Sequence, residues 1–206
     1  CDASISVAAN RIIVTKFSNA GQMCIAPDYV LVHHSVKAKL IAAMKEKITR
    51  FFSESPADSH EYGKIINEKQ FQRLIGYLTD GKVVHGGEHD LNRLFIAPTL
   101  LDDISVESAI MRDEIFGPIL PIIGFETMEE ALSIINKNPN PLAFYIFSSN
   151  TKKAKDWLLK VPSGAACINN ASWHATNHNL PFGGRGFSGT GRYHGKYSFD
   201  TFTHEK

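Results

Sequence analysis

Apolar positions along the chain repeat in two alternating patterns, one with the spacing of a helix and one with the short continuous run of a buried strand. Residues 3–16 carry apolar side chains three and four positions apart, which predicts a helix with Asp2 as its N-cap. Residues 29–33 and 119–124 are apolar, β-branched runs that predict buried strands. This alternation is typical of a mainly parallel, twisted sheet covered by helices, so the predicted fold class is α/β.

The same patterns continue through the rest of the chain. Ser35 and Asn67 are the predicted N-caps of two further helices, because each precedes a segment of helical spacing. Residues 198–206 mix aromatic and polar side chains too loosely for a clear period, and we predict a C-terminal strand there. The remaining predicted strands cover residues 82–85, 94–96, 142–147 and 164–169, and the remaining predicted helices cover residues 127–136 and 151–159.

The composition narrows the class of partner. The 206 residues are 43% hydrophobic, which fits one domain with a substantial core over residues 1–206. Because 22 Lys and Arg balance 21 Asp and Glu without any basic block, we predict a small-molecule partner and no nucleic acid. No apolar run reaches the roughly 18 residues of a membrane span. Three cysteines without a C-x-x-C pair favour a reducing, cytoplasmic compartment over a disulfide framework or a zinc site.

Cys24 is the candidate nucleophile, since it lies in a loop of small residues between the first helix and the first strand. Gly21 leaves space beside the sulfur, and Pro27 prevents a helix from continuing through the loop. A thiolate is a strong nucleophile toward a carbonyl carbon. The Asn19 or Gln22 side chain, together with the Cys24 backbone N–H, would hold the resulting oxyanion. On composition alone, the alternative is a buried cysteine that acts as a small hydrophobic residue.

Three motifs, in the same order, resemble those of the aldehyde dehydrogenase superfamily over nearly the whole chain. Asn-Ala-Gly-Gln-Met-Cys at residues 19–24 resembles the nucleophile motif of that family, and Ala-Pro-Asp-Tyr at residues 26–29 is similar to its class 3 branch. Glu-Ile-Phe-Gly-Pro at residues 114–118 is similar to the cofactor-contacting Glu-x-Phe-Gly-Pro motif. Residues 180–191 resemble the late glycine-rich motif. The resemblance implies the catalytic-domain fold of this family and makes Cys24 its nucleophile.

The resemblance also implies an activity and a set of site residues. It implies NAD(P)-dependent oxidation of an aldehyde to a carboxylic acid, through a thiohemiacetal and then a thioester on Cys24. The cofactor would be NAD or NADP, with Glu114 accepting hydrogen bonds from the nicotinamide ribose and Phe116 packing beside that ribose. Trp173 and His174 belong to the loop that lines the aldehyde entrance in this family. Members of the family assemble, so a homodimer or higher oligomer is expected.

In the family, a cofactor-binding domain and a general-base glutamate precede the nucleophile. We find no G-x-G-x-x-G sequence that opens a helix after a strand, so no complete dinucleotide-binding module is predicted here. We therefore interpret residues 1–206 as a catalytic-domain fragment without most of the cofactor-binding domain. The fragment alone is expected to be inactive.

Several alternatives remain open from the sequence. An acyl-transferring relative would use coenzyme A in place of water, and a hydrolase would pair a cysteine with His174 or His178 as its base. A non-catalytic scaffold domain is a third alternative. His33 and His34 are adjacent on a predicted strand and face opposite sides, so no metal site is predicted. Cys167 lies inside a predicted strand, where we expect a buried structural thiol.

Overall fold

The structure is a computed structural model and describes residues 2–204. The chain divides into two compact units. We call residues 9–127 the central unit, and residues 2–8 together with 128–204 the terminal unit. Each unit contains strands that are covered by helices. The helices are α1 (Ile5–Phe17), α2 (His34–Phe52), α3 (Glu68–Gly76), α4 (Met128–Ile135), α5 (Thr151–Lys160), α6 (Trp173–Thr176) and α7 (Lys196–Phe202).

The sheets are mainly parallel. In the central unit a four-stranded sheet has the order β1-β6-β5-β2, in which β6 is parallel to β1 and to β5, and β2 is antiparallel to β5. In the terminal unit β7 and β8 form a parallel pair. The strands are β1 (Val30–His33), β2 (Lys82–His85), β3 (His89–Asp90), β4 (Phe95–Ile96), β5 (Thr99–Asp102), β6 (Ile119–Phe125), β7 (Ala143–Ile146) and β8 (Ala165–Ile168).

The core of the central unit forms on β6 because this strand is interior to its sheet. Its residues from Ile119 to Ile123 are all buried, as expected for a strand with both faces covered. The helix α2 buries Leu40, Met44 and Ile48, which recur every four residues on one helical face. The sheet and the helix together fix the start and end points of the loops that carry the candidate site.

Helix capping follows the sequence at one predicted position and departs from it at another. The Asn67 side chain accepts a hydrogen bond from Gln70 N and caps α3, which confirms that prediction. The cap of α2 is His33 and not Ser35, because His33 Nδ1 accepts a hydrogen bond from Ser35 N. Histidine is not among the residues preferred at helix N-caps, so the sequence does not predict His33 as the cap.

Two further predictions are wrong. Asp2 does not cap a helix, since its carboxylate accepts hydrogen bonds from Ser148 Oγ at 2.8 Å and from Asn150 N at 3.2 Å. The predicted strand at residues 198–206 is the helix α7, in which Thr201 Oγ1 donates to Tyr197 O one turn earlier. Phe199 and Phe202 are three residues apart, which suits one helical face better than a strand. Residues 205 and 206 lie outside the described residues. Within residues 2–204, no helix has the combined length and apolar character needed to cross a membrane.

Candidate active site

The Cys24 loop follows α1 directly and has a strained backbone. Asn19 and Ala20 have φ angles of 50° and 51°, and Gly21 follows with a φ of 75°. Three successive residues in the left-handed region are uncommon, and each non-glycine residue there costs about 1–2 kcal/mol. Ala26 N donates to Met23 O at 3.0 Å, which closes a tight turn around Cys24. The Cys24 residue is exposed at this turn.

Gln22 braces the loop through its side-chain amide. Its Nε2 donates to Asn19 O at 3.0 Å and to Lys64 O at 2.9 Å, while its Oε1 accepts from Ile66 N at 3.0 Å. The Asn19 Nδ2 in turn donates to Gln22 O at 3.1 Å. Both Gln22 amide hydrogens are therefore engaged, so Gln22 supports the loop and has no spare donor for an oxyanion.

The Glu114 segment packs directly on the Cys24 loop. A Cβ atom on Gly21 would collide with the carbonyl group of Gly117, so only glycine permits this approach of the two backbones. The peptide that follows Glu114 is held from both sides, because Ile115 N donates to Asp28 Oδ1 at 3.0 Å and Arg73 Nη2 donates to Ile115 O at 2.7 Å. The candidate nucleophile and the candidate cofactor contact thus belong to one packed assembly.

Phe116, the aromatic residue of this segment, also has a strained backbone. Its φ angle is 47°, and its side chain is 41% exposed. A large aromatic residue in the left-handed region is a genuine outlier. Strain of this kind tends to occur at functional sites, where the surrounding structure holds the residue in place.

Three charged side chains that influence one another, Lys16, Asp28 and Glu114, lie within the same unit. Lys16 is fully buried, and its Nζ has no hydrogen-bond partner among the described residues. Burial lowers the pKa of Lys16 to about 8, although the Asp28 and Glu114 carboxylates act to raise it. Burial raises the pKa of Asp28, and the positive charges of Lys16 and Arg73 offset part of that shift. For Glu114, burial and then the charge of Asp28 raise the pKa.

Sequence reasoning missed Lys16, although the sequence contains a signal. The apolar face of α1 includes Ile12 and Ile13, and position 16 is the next one at the same spacing. A lysine at a position where the pattern predicts a buried apolar residue indicates a charge with a specific role. Asp28 and Arg73 carry no such local signal, because their contacts with Ile115 join residues far apart in the sequence.

Trp173 and His174, the predicted pocket residues, belong to the terminal unit and differ from each other in exposure. Trp173 is 60% exposed, whereas His174 is 6% exposed and contacts Cys167. A side chain as buried as that of His174 does not line an open entrance within its unit, so the prediction for this residue is not supported. Cys167 is only partly buried, which corrects the expectation of a buried thiol. Among the described residues, no group of three or more His, Cys, Asp or Glu side chains could hold a metal ion.

The chain is similar to known proteins over its whole length. The model of the aldehyde dehydrogenase family matches residues 1–206. The 4,4'-diaponeurosporen-aldehyde dehydrogenase of Staphylococcus aureus (strain NCTC 8325 / PS 47) is 47% identical over 206 residues, which cover 99% of this chain and 45% of that protein. A dimeric, NADP-preferring aldehyde dehydrogenase of Mus musculus is 43% identical over 205 residues, which cover 100% of this chain and 45% of that protein. The chain therefore spans less than half the length of these relatives.

Solved structures show the same likeness. Staphylococcus aureus AldH in a substrate-bound state superimposes with a TM-score of 0.96 at 46% identity, covering 100% of this chain and 45% of that one. An aldehyde dehydrogenase of Mycobacterium tuberculosis complexed with NAD+ gives a TM-score of 0.87 at 30% identity, covering 100% of this chain and 44% of that one. These neighbours confirm the α/β fold class that the sequence predicts.

Proposed function

Because the chain belongs to the aldehyde dehydrogenase family, we propose that it carries the nucleophile-bearing part of an NAD(P)-dependent aldehyde dehydrogenase, with Cys24 as the nucleophile. One observation supports this assignment above all others. The exposed thiol stands on a loop with three successive left-handed residues, and that loop packs against the segment of Glu114 and Phe116. Backbone strain of this extent is retained where function requires a fixed side-chain position.

Cys24 acts first in the proposed mechanism. Its sulfur attacks the aldehyde carbon, a carbon–sulfur bond forms, and negative charge develops on the aldehyde oxygen. The Cys24 backbone N–H and the Asn19 side chain are the groups of this chain that we propose to stabilise that charge. Gln22 keeps the loop in shape through its bonds to Lys64 and Ile66 and does not contact the oxygen.

The residues of the Glu114 segment fit the contacts that a nicotinamide cofactor requires. The exposed carboxylate of Glu114 can accept hydrogen bonds from sugar hydroxyl groups, and the exposed ring of Phe116 offers an apolar face for the ribose. Asp28 and Arg73 fix the backbone of this segment and so orient both side chains. The bound cofactor, NAD or NADP, would supply the hydride acceptor that leaves the acyl group on Cys24 as a thioester. Release of that acyl group to water yields a carboxylic acid.

We also propose an aldehyde entrance, an oligomeric state and a cellular compartment for this activity. We assign the aldehyde entrance to the exposed Trp173 and not to the buried His174. The mouse relative is named as dimeric, and we propose a homodimer or higher oligomer for this protein. Free thiols at Cys24 and Cys167 suit a reducing, cytoplasmic compartment.

A trapping experiment tests the assignment. The protein that carries this chain, at its natural length, is mixed with a reactive aldehyde and NAD+ or NADP+ and quenched in acid. We expect an acyl adduct on the peptide that contains Cys24, together with reduced cofactor, and no adduct on the peptide that contains Cys167. Turnover that requires added coenzyme A would indicate the acyl-transferring alternative. Ester hydrolysis without cofactor, lost in His174→Gln, would indicate the hydrolase, and neither outcome is compatible with the proposal.

A further inference from the structure

The terminal unit contains a second thiol next to a histidine. Cys167 Sγ lies 3.4 Å from His174 Nδ1, within the distance of a sulfur–nitrogen hydrogen bond. Cys167 stands on β8 and is partly exposed, whereas His174 stands on α6 and is 6% exposed. The two residues therefore combine a partly exposed cysteine with a buried base.

The imidazole of His174 is held firmly in position. It stacks on Phe182 with an interplanar angle of 12° and a centroid distance of 6.1 Å, and it contacts Tyr145 of β7 at 5.9 Å. Its Nε2 is buried without a hydrogen-bond partner among the described residues. The titratable groups known to face this imidazole are Tyr145 from β7 and Cys167 from β8, and Phe182 adds only an apolar ring.

Burial lowers the pKa of His174, so the imidazole is neutral at neutral pH. A neutral ring with its hydrogen on Nε2 leaves the Nδ1 lone pair free to accept the S–H hydrogen of Cys167. Nothing in the proposed dehydrogenase mechanism uses this pair, and Cys24 lies in the other unit. A thiol that contacts an imidazole base is the arrangement that activates cysteine nucleophiles.

We propose that Cys167 and His174 form a second reactive thiol centre, a site of covalent modification by α,β-unsaturated carbonyl compounds. In this step the Cys167 sulfur bonds to the β-carbon of the electrophile while its proton moves to His174 Nδ1. The electrons of the carbon–carbon double bond form an enolate, which then takes the proton back from His174. The addition has no leaving group and involves no net oxidation or reduction.

N-ethylmaleimide, an α,β-unsaturated carbonyl reagent, provides the test. The Cys24→Ser form of the protein is labelled at pH values between about 6.5 and 8, and the label on the Cys167 peptide is followed by mass spectrometry. With the histidine as base, the labelling rate of Cys167 should fall less than about threefold as the pH is lowered across this range. The labelling rate of an unassisted thiol falls about tenfold for each pH unit below the pKa of that thiol. N-acetylcysteine serves as the unassisted reference, and we expect Cys167 to react about tenfold faster than this reference at pH 6.5.

Two variants of His174 distinguish its role as a base from its role in packing. His174→Phe retains an aromatic ring against Phe182 and should restore the tenfold dependence per pH unit, as should His174→Gln. Circular dichroism establishes that each variant folds, and the pH profile of the parent protein decides the question even if neither does. A Cys167 that reacts only after unfolding, or a rate that parallels N-acetylcysteine at every pH, would overturn the proposal. Unchanged rates in folded His174 variants would overturn it equally.

Discussion

Cys24 and Cys167 lie in surroundings of opposite kinds. Cys24 is exposed on an irregular turn that follows three left-handed residues, and Cys167 is partly buried in a regular parallel strand. A loop can present a side chain at any angle, but it needs bracing, which Gln22 provides through bonds to Lys64 and Ile66. A strand needs no such bracing, because its ladder already fixes the backbone. Cys24 is thus positioned by a strained loop, whereas Cys167 lies beside a histidine that can act as its base.

The electrostatic surroundings differ as well. In the unit that carries Cys24, Lys16 is a buried charge, Asp28 is partly buried and Glu114 is exposed. The described side-chain contact of Cys167 is the imidazole of His174, which itself contacts the rings of Tyr145 and Phe182 and has no charged side chain among its described partners. A buried charge without a close partner costs stability, so its retention points to a function. The difference indicates that the central unit maintains a charged site and the terminal unit a neutral one.

The strongest test of this comparison exchanges each sulfur for oxygen. Cys24→Ser should remove nearly all dehydrogenase activity of the protein, because an alcohol near neutral pH is a far weaker nucleophile than a thiolate. Cys167→Ser is the matched control and should leave the rate within about twofold. Steady-state formation of reduced cofactor measures both. A Cys24→Ser protein that keeps more than about a tenth of the parent rate, equivalent to about 1.4 kcal/mol in the barrier, would contradict the assignment.

The buried charge of Lys16 predicts a pH dependence of stability. The folded protein holds the pKa of Lys16 at about 8, below its ordinary value of 10.5, so the unfolded chain binds more protons between these values. The stability of the central unit should therefore rise with pH across that window. Lys16→Met should raise the free energy of unfolding at pH 7 by about 1–3 kcal/mol and remove this rise, as followed by urea unfolding.

The stability of the terminal unit should change in the same direction with pH, but in an acidic range. His174 has a lowered pKa in the folded state, so the unfolded chain binds more protons below the ordinary value of 6.5 and stability falls as the pH drops. His174→Phe should reduce that loss of stability at acidic pH and leave the stability at alkaline pH unchanged.

If Lys16→Met destabilises the protein at pH 7, the lysine has a stabilising partner and the interpretation of an unpaired charge is wrong.

Much of the fold could be predicted because its signals are local. Apolar runs predicted β6 and the pair β7 and β8 to within two residues at each end, and the Asn67 cap was recognisable from its own side chain. The strand β5 was missed, since its apolar run of only Leu100 and Leu101, close after Pro98, does not stand out from a loop. The C-terminal helix α7 was mistaken for a strand because seven residues are too few to establish a period.

The candidate site was predicted less completely, because its contacts are not local. Motif resemblance identified Cys24, Glu114 and Phe116, but no pattern places Asp28 Oδ1 beside Ile115 N across 87 positions. The pairing of Cys167 with His174 likewise depends on how α6 returns onto β8. The sequence suggests His174 as a base but does not show the thiol that it contacts.

A smaller effect is expected when Glu114 changes to Gln. The amide keeps the shape of the side chain but loses the charge, so its hydrogen bonds to sugar hydroxyl groups should weaken. We expect the KM for NAD or NADP to rise about tenfold, while iodoacetamide should alkylate Cys24 at the parent rate. Glu107→Gln is a control on an exposed carboxylate outside the motif. Unchanged cofactor binding and turnover in Glu114→Gln would make Glu114 an ordinary surface charge.

The smallest predicted effect compares two alanines that lie near the two thiols. Ala20 is fully buried with a φ of 51°, whereas Ala166 is only partly buried in β8. Burial alone predicts that Ala20→Gly costs more, since it removes the better-covered methyl group. Strain predicts the reverse, because glycine adopts positive φ freely and relieves about 1 kcal/mol that alanine suffers there.

We expect strain to decide the order. Ala20→Gly should change the free energy of unfolding of the central unit by less than about 0.5 kcal/mol, because the relief of strain offsets the lost methyl group. Ala166→Gly should lower the stability of the terminal unit by about 1 kcal/mol, since glycine weakens a regular strand. Urea midpoints, each read in the transition of its own unit, measure the two changes. If Ala20→Gly proves the more damaging, the left-handed backbone at Ala20 carries little strain and the Cys24 loop is held by packing instead.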